Sequence, residues 1–129
     1  MVTAAFVLDL SNSWLGGVNY YRNLLTAISR YASDDIRVKV FLPKGQDIDA
    51  FRDLSRTVEF VYISFPARWT FPWFVRKLWM KFFHEDRFLA RLLRRHGVDV
   101  LSHAPDSVRC PGVENIAWIP DFQHKYLPE

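Results

Sequence analysis

Apolar and polar positions along the chain switch between strand-like runs and a helical period. Thr3 to Leu10 (TAAFVLDL) is a short, almost uninterrupted apolar run, as expected of a strand buried on both faces of a parallel sheet. Ser11 to Gly17 breaks that regularity with Ser, Asn and two glycines. From Val18 a helical period begins, with Val18, Tyr21, Leu24, Leu25, Ile28 and Tyr31 on one stripe, closed by Ser33-Asp34-Asp35. Ile36 to Leu42 predicts a second strand, stopped by Pro43-Lys44-Gly45. Asp47 to Leu54 suits a short helix and Thr57 to Ser64 (TVEFVYIS) a third strand. Pro66 to Pro72 is a loop carrying Trp69 and Phe71. Trp73 to about His96 predicts a helix with a bend near His84-Glu85. Gly97 is placed to terminate it, with Arg94 and Arg95 favourable at the negative end of its dipole. Val98 to Ser102 and Asn115 to Ile119 make the fourth and fifth strands.

Strands alternating with helices are the signature of an α/β chain, a Rossmann-like parallel sheet with flanking helices. With 129 residues and no repeat, low-complexity tract or linker, residues 1–129 form one domain. Half the residues are apolar and 24% are charged, which excludes wholesale disorder. The lone Cys110 cannot form an intrachain disulfide, and no Cys/His set has zinc-site spacing, so a cytoplasmic location is expected. The apolar first residues lack a basic segment before them and run into Asp9, unlike a signal peptide. Phe71 to Phe83, the most apolar window, contains Arg76, Lys77 and Lys81 and is far shorter than the roughly 20 residues needed to span a bilayer. Cys110 sits in an Arg-Cys-Pro-Gly turn without the neighbours that would activate a nucleophile. Asp9 and Asp99 are expected to cap or bracket strands, His84 and His96 to be solvated on a basic helix, and Asp34-Asp35 to be solvated at a helix end.

A strand, a glycine pair and a helix in succession make a recurrent type of ligand site. Open α/β sheets bind ligands beyond the carboxyl ends of their strands, glycine permits close approach of backbone, and free N–H groups at a helix start attract anions. Gly16 and Gly17 are therefore candidates to contact a ligand, the structural alternative being that they only make the turn. The segment matches neither the G-x-G-x-x-G dinucleotide fingerprint nor a Walker loop.

Three segments carry a resemblance. Gly16-Gly17-Val18-Asn19-Tyr20-Tyr21-Arg22-Asn23-Leu24-Leu25 resembles the opening of retaining glycosyltransferases of the GT-B fold, family four. Ile119-Pro120-Asp121-Phe122-Gln123-His124-Lys125-Tyr126-Leu127-Pro128-Glu129 is similar to their PDFQH-x-x-x-PE segment, the more specific of the two. His96-Gly97-Val98-Asp99-Val100-Leu101-Ser102-His103 resembles their fourth strand.

The likeness implies the N-terminal, acceptor-side half of a two-domain enzyme that moves a sugar from a nucleotide-sugar donor to a glycan or lipid-linked acceptor, with no metal or other cofactor. By the same resemblance Gly16, Gly17, Asn19 and His103 are substrate-binding residues. Many relatives carry a His-Asp pair after the fifth strand; here Pro120 stands at the His position and Asp121 matches the Asp. Asp121 or His124 is then expected to steer the acceptor or stabilise charge near the anomeric carbon. The family's Glu-x7-Glu donor motif is absent, since Glu59, Glu85, Glu114 and Glu129 have no such partner. The C-terminal donor domain is thus expected to lie outside this chain, and the fragment alone to be inactive. The alternatives are a non-catalytic sugar-, nucleotide- or membrane-binding module, or a protein-interaction domain. A structural role for His103 also stays open, since a His at a strand end is often simply hydrogen-bonded.

Charge and aromatic content add one more expectation. Net charge is only +3, but residues 66–96 hold eight basic residues against Glu85 and Asp86, so the excess of six is local. Nucleic acid is not expected, because the cations cluster in one region without a recognition motif. Aromatic residues make up 16% of the chain, and Pro66 to Phe83 holds much of the excess. On a helix Val75, Leu78, Trp79, Phe82 and Phe83 form an apolar stripe, with Arg76, Lys77, Lys81 and His84 on another side. That composition suits a helix lying on the inner membrane face, with Trp73, Arg76, Lys77, Trp79 and Lys81 meeting an anionic surface. The bland alternative packs the stripe on the sheet and leaves the cations solvated.

Overall fold

The computed structural model describes residues 1–10, 15–104 and 108–117. Among the described residues nine elements follow in order: β1 (Val2–Val7), α1 (Leu15–Tyr31), β2 (Ile36–Pro43), a 3-10 helix (Asp49–Leu54), β3 (Val58–Ile63), α2 (Phe71–Phe83), α3 (Arg87–Arg95), β4 (Val100–Ala104) and β5 (Glu114–Ala117). The strands form one parallel sheet in the order β3-β2-β1-β4-β5, flanked by helices, which is the expected α/β Rossmann-like architecture.

The apolar runs read as strands because both of their faces are covered. Side chains alternate across a strand, so Phe6 and Leu8 join Val38, Val40, Leu42 and Val58 against Leu25 of α1 and Phe51 of the 3-10 helix. Ala5 and Phe41 point the other way, with Leu101 and Ile63, against Leu89, Ala90 and Leu93 of α3. Burial at about 25 cal/mol per Å2 of apolar area makes these two layers the main favourable term in folding. Asp99 brackets the sheet as expected: its carboxylate accepts from the Thr3 N–H at 2.8 Å, its own N–H donates to Thr3 O at 2.9 Å, and its carbonyl accepts from Glu114. Asp9 accepts from the Gln46 amide at 2.6 Å, tying the end of β1 to the loop after β2.

Four expectations are refined or changed. The first helix begins at Leu15 rather than Val18, so Gly16 and Gly17 lie within its first turn. Glycine is tolerated there because the first amides of a helix have no intrahelical acceptor in any case. Tyr31, the last member of the apolar stripe, is 85% exposed at the last helical residue. The short helix expected over Asp47 to Leu54 is present as a six-residue 3-10 helix, Asp49–Leu54.

The fourth change is the largest. The long helix is broken in two: His84 adopts the left-handed conformation (φ 53°), and Glu85 and Asp86 pass beside Arg109 before α3 starts. Gly97 ends α3 as expected, at φ 68°, with the Gly97 N–H donating to Arg94 O and the Val98 N–H to Leu93 O. His96 is not simply solvated, since its ring packs edge-on against Phe41, 5.4 Å between centroids.

Candidate functional site

The strand order reverses direction between β1 and β4. From β1 the chain goes out through α1 to β2 and β3, then returns through α2 and α3 to β4. Beyond the carboxyl ends of β1 and β4 the two halves diverge and leave a crevice, the place where open α/β sheets take their ligands. A cavity of about 260 Å3 opens there, walled by Val7 of β1, Ser102 and His103 of β4, Phe65, and the Arg76–Asp86 pair, with Cys110 beside them.

His103 is the best-defined polar group at this end. Its backbone is left-handed, φ 60°, and the β4–β5 register shifts between Ser102 and Ala104. This irregularity turns the imidazole toward α1 instead of along the normal pleat. One ring nitrogen, Nε2, shares a hydrogen bond with the Tyr20 hydroxyl at 2.9 Å, and Nδ1 shares one with the Ser102 hydroxyl at 2.8 Å. Phe6 and Tyr21 flank the ring at 5.4 Å and Tyr20 at 5.7 Å. Burial pushes its pKa below the ordinary histidine value, so the ring is neutral at pH 7 and acts through hydrogen bonds rather than as a cation. Burial also raises the Tyr21 hydroxyl, and the neighbouring Tyr20 adds to the effect.

The opposite wall is built on a charge pair. Asp86 is 3% exposed and caps α3, its carboxylate accepting from the Leu89 N–H at 3.0 Å. Arg76 reaches across from α2, with Nε 3.1 and 3.2 Å from the two carboxylate oxygens and Nη2 closing the fork. The guanidinium lies over Phe65 at 4.7 Å and Phe88 at 5.6 Å. The break at His84 makes this possible: the Asp86 N–H donates to Arg109 O at 2.9 Å and the Arg109 N–H to His84 O at 2.8 Å, which fixes the cap.

Cys110 is buried next to the pair. Burial, with the Asp86 carboxylate adding and Arg76 opposing, pushes the thiol up to about 12, so it stays protonated and is no nucleophile. Asn115 holds the loop around it, accepting from the Cys110 N–H and donating to the Cys110 and Val113 carbonyls. Among the described residues no three His, Cys, Asp or Glu side chains converge as metal ligands.

Of the residues singled out in the sequence, Gly16 and Gly17 open α1, the helix whose Tyr20 is hydrogen-bonded to His103 at the end of β4. Asn19 is exposed on α1 beside them. Asp121 and His124 lie outside the described residues. Arg76, expected on a charged surface, is turned inward onto Asp86, and Trp79 lies under the Arg87 guanidinium, 3.8 Å from its ring. Sequence reading missed Asp86, Tyr20 and Ser102. An Asp directly before the apolar-periodic stretch that starts at Arg87 is the capping signal that would have found the first. Against protein-family models, curated proteins and solved structures alike, the chain finds no match.

Proposed function

We propose that this chain is the acceptor-side half of a retaining glycosyltransferase of the two-domain GT-B type, acting on the cytoplasmic side and completed by a donor domain beyond it. The observation that carries this reading is the Tyr20–His103 hydrogen bond of 2.9 Å, which joins two of the three segments that bear the resemblance. Residues 83 positions apart in the chain thereby meet at the end of the sheet where the strand order reverses, the place where open α/β sheets take their ligands. In this reading Gly16, Gly17 and Asn19 face the donor across the cleft. His103 stays neutral and orients a sugar hydroxyl by exchanging one of its present hydrogen bonds. Asp121 and His124 act on the acceptor from the segment after β5.

The test is the coding frame after Glu129. A second Rossmann-type domain carrying Glu-x7-Glu is expected there, and in the whole enzyme His103→Asn, which tolerates the left-handed backbone, should lower transfer at least tenfold with the circular dichroism unchanged. A frame without such a domain overturns the reading.

A further inference from the structure

α2 departs from the behaviour of an ordinary helix of an α/β domain. None of its residues is buried, although apolar side chains dominate it. The inward side is the one that carries Arg76 and Met80, which wall the cavity. The outward side carries Phe71, Val75, Leu78 and Phe82, spaced by four, three and four residues so that they stack on one face. Phe71 is 81% exposed, Leu78 57% and Phe82 66%. Trp69, just before the helix, is also exposed. The 13-residue helix is about 20 Å long, so the stripe is a continuous apolar ridge.

Cations rim this ridge. Lys77 and Lys81 lie along one flank on α2, and Arg91 of α3 lies beside Phe71 and Val75 on the other. The two acids of the region are already used: Asp86 by Arg76 inside the molecule, and Glu85 by Arg87 at 3.1 Å. Among the described residues no carboxylate pairs with Arg68, Lys77, Lys81 or Arg91.

We propose that α2 seats the domain on an anionic bilayer, with Phe71, Val75, Leu78 and Phe82 in the headgroup–acyl boundary and Lys77, Lys81 and Arg91 against lipid phosphates. An aqueous protein partner would have to match an apolar ridge and a wholly cationic rim together, whereas a bilayer of acidic lipids presents that layering everywhere. The residues that meet lipid differ from those suggested by composition, because Arg76 is committed to Asp86 and Trp73 and Trp79 are half-buried. Since the inner side of the same helix walls the cavity, docking brings the crevice to the membrane surface. The inference deepens the glycosyltransferase reading by naming where an acceptor is met. The two fail separately, one on vesicle binding and the other on the downstream frame.

The experiment is co-sedimentation of the 129-residue chain with vesicles of phosphatidylcholine containing 30% phosphatidylglycerol, and with pure phosphatidylcholine, at low and high salt. Binding to the acidic vesicles alone is expected, weakening with salt, with a blue shift of tryptophan emission as the ridge leaves water. Lys77→Gln/Lys81→Gln should weaken partitioning roughly 30-fold, taking about 1 kcal/mol for each cation near the surface. Leu78→Ser/Phe82→Ser, at positions exposed in the fold, should abolish the blue shift with circular dichroism unchanged. Absence of sedimentation with acidic vesicles at low salt overturns the proposal. So does binding that neither double variant alters, or a dimer in light scattering that Leu78→Ser/Phe82→Ser returns to monomer while vesicles are ignored.

Discussion

His103 shows how one side chain can carry both fold and site. Its left-handed backbone costs on the order of 1 kcal/mol or more, offset by hydrogen bonds to Tyr20 and Ser102 and by the aromatic ring contacts. Because burial lowers its pKa, the unfolded chain binds more protons than the folded one below about pH 6.5. The stabilisation is fully present above that pH and is lost as pH falls through the lowered folded value. His103→Asn, which tolerates the left-handed backbone, should therefore be less stable near pH 7. It should also show a shallower loss of stability between pH 7 and 5, read from urea midpoints. An unchanged slope would mean the ring titrates as if in water. The sequence places His103 at the end of β4 but not its orientation, which depends on a register shift and on a tyrosine one helix away.

At the level of elements, the break between α2 and α3 decides what α2 can do. Asp86→Ala removes a helix cap and leaves Arg76 facing a cavity without its counter-charge. A loss of about 3 kcal/mol is expected in chemical denaturation, with Asp86→Asn losing less because the amide oxygen still caps Leu89. Equal losses for the two would assign the effect to the Arg76 ion pair alone, the cap adding nothing. The strands and α1 were legible because a parallel strand is apolar on both faces and α1 on one. The α2–α3 boundary was not, because Trp73 to His96 keeps a helical period across the gap and only the backbone of His84 departs from it. The apolar stripe was legible as a stripe, but its direction was not. A face that packs on a sheet and a face that points outward share one composition, and the fork between Arg76 and Asp86 settles which side turns in.

Across the whole molecule, stability is unevenly spread. β1 lies inside the sheet with pairing on both sides, whereas α2 touches the body through its inner edge alone. In hydrogen exchange, amides of β1 and β2 should be the slowest and those of α2 should exchange orders of magnitude faster, by local opening. Protection of α2 equal to that of β1 would show it to be part of the cooperative core. The α/β class and the sheet could be read from the order of runs. The crevice could be anticipated only as a general rule, because its walls come from segments that meet through tertiary contacts.

The strand order also has a consequence in time. β1 pairs with β2 about 34 residues later, but its other edge waits for Val100 to face Ala4. At bacterial-to-eukaryotic synthesis rates of about 5–20 residues per second, those 96 intervening steps take roughly 5–20 seconds. For that interval the growing chain presents an open apolar strand edge that β4 has not yet emerged to cover, a window of aggregation hazard set by topology rather than by sequence.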